Sequence, residues 1–124
     1  MTYLNKRMAE KRTDERIELT GYTVKIIDNP LNLPLSVGDI SLEGLRLTRV
    51  PSKIACKETP TAITLLGNRP SECYKLTIMP CWRKKNDFFW DVGFYIHRVP
   101  VSWKRFVRIK KMQVKKMRGT FWSL

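Results

Sequence analysis

Two arginines four residues apart, Arg12 and Arg16, stand in the charged segment EKRTDERIEL at 10–19. A guanidinium presents five N–H donors in a planar fork. That fork matches phosphate oxygens and the O6/N7 edge of guanine, and it stacks flat on a base. A spacing of four puts both forks on one side of the chain, one turn apart on a helix or two pleats apart on an extended arm. The second stretch is Asp39-Ile40-Ser41-Leu42-Glu43-Gly44. A serine hydroxyl and the N–H groups of a glycine turn can face a phosphate. An aspartate beside them can accept from a guanine edge or hold an arginine fork in place. Each stretch alone also has a bland reading. In a chain with 24 Lys and Arg the arginine pair reads as a solvated arm, and the Asp/Ser/Gly stretch reads as an ordinary hairpin turn.

The elements that would position these groups are mostly strands. Residues 5–16 hold eight charged residues of twelve, too polar for a core, which predicts an arm or a short helix outside it. From there the pattern becomes apolar and β-branched. Runs at 22–27 (YTVKII), 35–40, 45–50, 61–66 (TAITLL), 74–83 (YKLTIMPCWR) and 88–98 (FFWDVGFYIHR) are separated by turn residues, among them Asp28-Asn29-Pro30 and the polar stretch 84–87. Pro80 inside the fifth run predicts an edge or a bulge there. Six short antiparallel strands, with connections too short for parallel crossovers, predict a barrel or a sandwich. After Pro100 the period changes. Trp103, Phe106, Val107, Val114 and Met117 share one helical face, with Ser102 as a cap and Gly119 as a stop.

The 124 residues suit one domain: an arm at 1–16, a barrel at 17–99 and a basic helix at 100–118. Cys56, Cys73 and Cys81 are an odd number without a close pair, which predicts buried or reduced thiols and no disulfide frame. With a single histidine, His97, four well-spaced zinc ligands are not to be expected. No nucleophile elbow or phosphate loop occurs, and Asp39 has no second carboxylate at a convincing spacing for acid–base work. The longest uncharged runs, 29–38 and 59–68, are ten residues each, too short to span a bilayer. No apolar run follows the basic residues at the N-terminus, so no secretory signal is expected and the location expected is the cytoplasm. The net charge of +13 points to anionic partners: nucleic acid, a phosphate-bearing ligand or an anionic membrane surface. Residues 104–118 alone hold eight basic residues and no acid.

The two stretches together resemble the PilZ domains, bacterial receptors of the second messenger cyclic di-GMP. Their mark is RxxxR in an N-terminal arm, followed after one strand by [D/N]xSxxG at the edge of a small antiparallel barrel. Here Arg12 and Arg16 precede Asp39, Ser41 and Gly44, with 23 positions from Arg16 to Asp39, and each pattern occurs once. The resemblance runs over roughly residues 10–112 and includes GFYI at 93–96 as the closing strand. It implies a mainly β protein: a six-stranded antiparallel β-barrel with a flexible N-terminal arm and a C-terminal α-helix. It implies a receptor or adaptor, not an enzyme, that binds cyclic di-GMP without cofactor or metal and signals to a downstream protein partner without inserting in a membrane.

By the same resemblance, Arg12 and Arg16 would clasp guanines and phosphates. Asp39 would bond a guanine or brace an arginine, Ser41 would lie near a phosphate, and Gly44 would permit a tight approach. Trp82 is the candidate to stack on a base, with an ordinary packing role as its alternative; Trp90 is assigned to packing. Lys11 stands where family members often carry an arginine that helps recruit a second, stacked ligand molecule. Lysine keeps the charge without the planar fork, so one or two ligand molecules both stay open. Two other readings remain beside this one. One is a basic barrel that binds RNA or single-stranded DNA on Trp82, Tyr74 and Phe94. The other is a PilZ-like interaction module that binds no ligand.

Overall fold

The computed structural model describes residues 15–27 and 34–122, with side chains as far as residue 115. Among the described residues, seven strands and two helices follow in order: β1 (Ile17–Glu18), β2 (Thr23–Ile26), β3 (Leu35–Ile40), β4 (Gly44–Val50), α1 (Ser52–Ala55), β5 (Thr61–Leu66), β6 (Cys73–Asn86), β7 (Phe89–His97) and α2 (Val101–Trp122). The six expected strands are present. All pairings are antiparallel, in the order β3-β2-β5-β6-β7-β4, and β3 pairs with β4 to close the ring. Closure leaves most backbone donors and acceptors satisfied within the barrel. β1 lies outside it and adds two residues to the edge of β3. The short helix α1 was not expected from the sequence.

Alternation explains the core. Val24, Leu47, Ile63, Leu65 and Val92 are fully buried, while their strand neighbours point outward. Three irregularities interrupt this period. Along β3, Val37 opposes Leu47 and Asp39 opposes Arg46, so Gly38 is an extra, unopposed residue. Along β6, Pro80 opposes Phe94 and Trp82 opposes Gly93, so Cys81 is extra. Along β4, an irregularity falls between Leu47 and Val50, where Arg49 adopts φ 54. Each bulge slips the in/out phase by one residue. Pro80 therefore sits beside a bulge, and also beyond the last β5 partner of β6, Ile78. The β6–β7 turn is tighter than expected. β6 continues to Asn86 opposite Phe89, leaving only Asp87 and Phe88, with Asp87 at φ 57, which aspartate tolerates.

Helix α2 covers one end of the barrel. Trp103 and Val107 are fully buried and Phe106 nearly so. Phe106 packs on Tyr74 at 4.7 Å between ring centroids and on Tyr22 at 5.8 Å, and Lys110 Nζ lies 5.5 Å from the Tyr22 ring centre. The helix starts at Val101, where the Lys104 N–H donates to the Pro100 carbonyl (3.2 Å). Ser102 is therefore inside the first turn and not the cap. The helix also continues through Gly119 to Trp122, because a glycine inside a helix costs only about 1 kcal/mol and need not end it. Met117 lies beyond the described side chains. So do Lys11, Arg12, the rest of the arm before Glu15, and the expected turn at 28–30, all outside the described residues. No disulfide joins the three cysteines; Cys56 and Cys73 are exposed and Cys81 is half-buried, so burial is not what characterises them.

The Tyr22 hydroxyl donates to the Glu72 carboxylate. Burial, and then this bond, hold the Tyr22 hydroxyl well above the ordinary tyrosine range; burial followed by the Glu72 charge acts on Tyr74 in the same direction. The unfolded chain would ionise Tyr22 near pH 10 while the folded chain keeps the proton. The stability linked to it is therefore whole below about pH 10 and is lost as pH rises further. Urea unfolding from about pH 9 to 11 is expected to show the wild type losing up to about 1.4 kcal/mol per pH unit more than Tyr22→Phe. Parallel curves for the two proteins would mean that Tyr22 does not titrate on unfolding.

Candidate functional site

The bulges decide which side chains share the outer face of the barrel. Leu35 and Val37 point inward, and regular alternation would send Asp39 inward after them. The extra residue at Gly38 reverses the phase, so Ile40 is fully buried and Asp39 points outward. In the same way Leu76 and Ile78 point inward on β6, and Cys81 turns Trp82 outward. Directly opposed residues share a face. Trp82, Gly93, Arg46, Asp39 and Glu18 therefore form one row across β6, β7, β4, β3 and β1. Three strand spacings separate Trp82 from Asp39, about 15 Å along the row.

Arg46 is the centre of this row. Its Nε donates to Asp39 Oδ2 at 2.8 Å, and its Nη1 lies 3.7 Å from Asp91 Oδ2. The guanidinium lies over Gly38: a Cβ there would come within 2.7 Å of Nη2. The bulge glycine thus also makes room for the arginine that Asp39 holds. At the other end, the Trp82 indole lies against Gly93, where a Cβ would come within 2.1 Å of Nε1. Gly93 is buried beneath it and the indole is half-exposed. Trp90, assigned to packing, donates its indole N–H to Ser52 Oγ at 3.1 Å, tying β7 to α1.

Ser41 and Gly44 flank a two-residue turn, Leu42–Glu43. The Ser41 N–H donates to the Gly44 carbonyl at 2.9 Å, and the Ser41 hydroxyl makes only a long 3.5 Å contact with the same oxygen. The bland hairpin reading of this stretch is therefore right as to local structure. The Ser41 carbonyl accepts from Trp103 Nε1 at 3.2 Å, which fixes the turn to the covering helix. The tight approach at Gly44 is made by the protein itself: a Cβ there would sit 2.6 Å from the Phe94 carbonyl oxygen. Gly44→Ala must part β4 from β7 and is expected to cost about 2 kcal/mol in urea unfolding. Unchanged stability would show that the strands relax freely at this point.

β1 brings the arm to the turn. Ile17 opposes Ile40 and Glu18 opposes Asp39, so the chain leaves the ladder at the level of Ser41 with Arg16 next. Arg16 is exposed. With Glu15, Ile17, Glu18, Lys111 and Val114 it lines a groove of about 370 Å³ between the arm and α2. Arg16, Asp39 and Ser41 are thus brought together, Gly44 supports their turn, and Trp82 lies along the row. Arg46, which joins Asp39 on this face, was not singled out in the sequence. The aromatic platform imagined for a nucleic-acid reader is not assembled. Phe94 is buried, and Tyr74 packs against Trp103 and Phe106.

No family model matches the sequence, and no curated protein is detectably similar to it. The architecture does match solved structures. YcgR from Escherichia coli in complex with c-di-GMP superposes with TM-score 0.69 at 13% identity, over 91% of this chain and 50% of that one. The PilZ domain of the same protein with c-di-GMP gives 0.65 at 14%, over 92% and 99%. The Bacillus subtilis inhibitor of motility MotI/DgrA gives 0.63 at 6%, over 88% and 52%. The chain has the PilZ fold. It spans about half the length of YcgR and of MotI/DgrA, and the whole of the isolated PilZ domain. In this PilZ barrel the two bulges and the added strand β1 are what gather the polar row on one outer face. Among the described residues no group of His, Cys, Asp and Glu could hold a metal ion, and no helix is long and apolar enough to cross a membrane.

Proposed function

We propose that this chain is a receptor for cyclic di-GMP that binds without turning it over and signals through a protein partner in the bacterial cytoplasm. The observation that carries this reading is the convergence of Arg16, Asp39 and Ser41 beside Arg46 on one outer face, with Trp82 further along the same row. The ligand joins two guanines through two phosphates, so it needs cationic forks, an acceptor for a guanine edge and a flat apolar surface. Arg16 and Arg12 supply forks from the arm, and Arg46 a fork already oriented by two carboxylates. Asp39 has a second carboxylate oxygen to offer a guanine, and Ser41 a hydroxyl to offer a phosphate. Trp82, supported from behind by Gly93, offers an indole to a base.

The arm closes over the ligand, with Lys11 beside Arg12 adding charge for one ligand molecule or a stacked pair. Ordering the arm costs entropy, which charge-assisted bonds of about 1.5–3 kcal/mol each offset. The new arm position then alters the surface that the partner reads. That the fold's solved relatives include two structures holding c-di-GMP supports the choice of ligand.

Calorimetric titration of cyclic di-GMP and cyclic di-AMP into the full chain tests this. Saturable heat is expected with the guanine ligand alone and a weak dependence on salt. The absence of heat with cyclic di-GMP rejects the reading. A steep salt dependence with no preference between the two ligands would instead indicate sequence-independent binding to phosphates.

A further inference from the structure

The row on the barrel wall leaves the charge of α2 unused. At 100° per residue, Trp103, Phe106, Val107 and Val114 fall on the side packed against the barrel end, and all are buried or half-buried. The opposite side is centred on three exposed apolar residues, Val101 (71%), Ile109 (46%) and Met112 (69%). Exposed Lys104, Arg108 and Lys115 run along one side of them and Arg105 stands among them, and α2 contains no acidic residue. The neighbouring acids Glu15 and Glu18 line the groove on the flank of the helix with Lys111 and Val114, and so do not neutralise the outward face.

We infer that the outward face of α2 binds an anionic lipid bilayer surface, with the helix lying in the interface plane and not crossing it. The combination of side chains selects this partner. Phosphates of a nucleic acid would draw on the cations but would gain nothing from an aliphatic and thioether line beside them. At a bilayer the apolar line enters the boundary between headgroups and acyl chains while the cations meet the anionic headgroups. Lysine and arginine stems are long enough to reach those headgroups from a helix lying at that depth. Each cation near such a surface contributes about fivefold in partitioning. The helix is held rigidly by Trp103 and Phe106, so the face is presented already folded, without the cost of helix formation that a free peptide meets.

The test is co-sedimentation of the full chain with vesicles of phosphatidylcholine, with and without phosphatidylglycerol. Binding is expected only with phosphatidylglycerol, and it should weaken with salt. Arg105→Glu/Arg108→Glu is expected to lower partitioning at least about 25-fold. Ile109→Ser/Met112→Ser should lower it at least about tenfold, while leaving retention on heparin unchanged. All four positions are exposed, so both variants keep the fold, which thermal melting checks. Vesicle binding that survives Ile109→Ser/Met112→Ser overturns the inference. So does a wild-type chain that binds a single-stranded oligonucleotide but no vesicle. Neither result bears on cyclic di-GMP binding, which is read separately by calorimetry.

Discussion

Arg16→Ala is expected to weaken cyclic di-GMP binding roughly 10- to 100-fold in calorimetry, while the melting temperature of the unliganded chain moves by no more than about 1 °C. The two halves of this result have different causes. Arg16 is exposed one residue before β1 and contributes nothing to the core, so its loss leaves the barrel intact. Yet the β1–β3 register brings it to the level of Ser41, two residues along β1 from the Asp39 row, where a fork can meet a phosphate or a guanine edge. One charge-assisted fork contributes about 1.5–3 kcal/mol, which sets the size of the loss. Arg16→Lys sharpens the experiment. It keeps the charge and loses the bidentate geometry, so it should recover only part of the affinity. Equal affinity of the wild type and Arg16→Ala would remove Arg16 from the site while leaving the ligand in place. Full recovery by lysine would mean that charge alone is read there.

The two motifs were legible because their chemistry is local: a repeated guanidinium, and an Asp, Ser and Gly within six residues. The barrel was legible because six runs alternate with the period of a half-buried strand. What escaped was the relation between strands. The apolar residues of β3 are spaced Leu35, Val37, Ile40, and the slip from two to three is the signature of the bulge at Gly38. A slip of that kind reads equally as the end of a strand, and only the partner strand distinguishes the two. The outward turn of Trp82 depends on Cys81 in the same way, although Pro80 marked the place. Arg46 shows the limit most clearly. It is seven residues from Asp39, on a different strand, and nothing in its neighbours signals a site; pairing across the β3–β4 hairpin alone makes them partners. The helix ends were misjudged for a simpler reason. Ser102 and Gly119 are good terminal residues, but neither compels a terminus: a serine fits within the first turn, and a glycine inside a helix costs only about 1 kcal/mol.

The turn at Ser41 rests on a contact 62 residues apart in sequence, and removing it is expected to produce the largest loss of stability. Trp103 is fully buried between the barrel end and α2, packs edge-on against Tyr74 at 5.9 Å, and donates its indole N–H to the Ser41 carbonyl at 3.2 Å. Trp103→Ala empties the space of an indole and should cost about 3–5 kcal/mol in urea unfolding, a large share of what a domain of this size has in reserve. Trp103→Phe separates the two contributions. It keeps an aromatic ring against Tyr74 and Phe106 but leaves the Ser41 carbonyl without its donor, so a smaller cost of about 1–3 kcal/mol is expected. Ser41 belongs to the turn that faces Arg16, so the phenylalanine variant should also weaken cyclic di-GMP binding beyond what its loss of stability accounts for, since the chain remains folded at the temperature of the titration. Were Trp103→Phe to bind as the wild type does, the turn would hold its shape through the Ser41–Gly44 backbone bond alone, and α2 would serve as a cover for the core with no hand in the site.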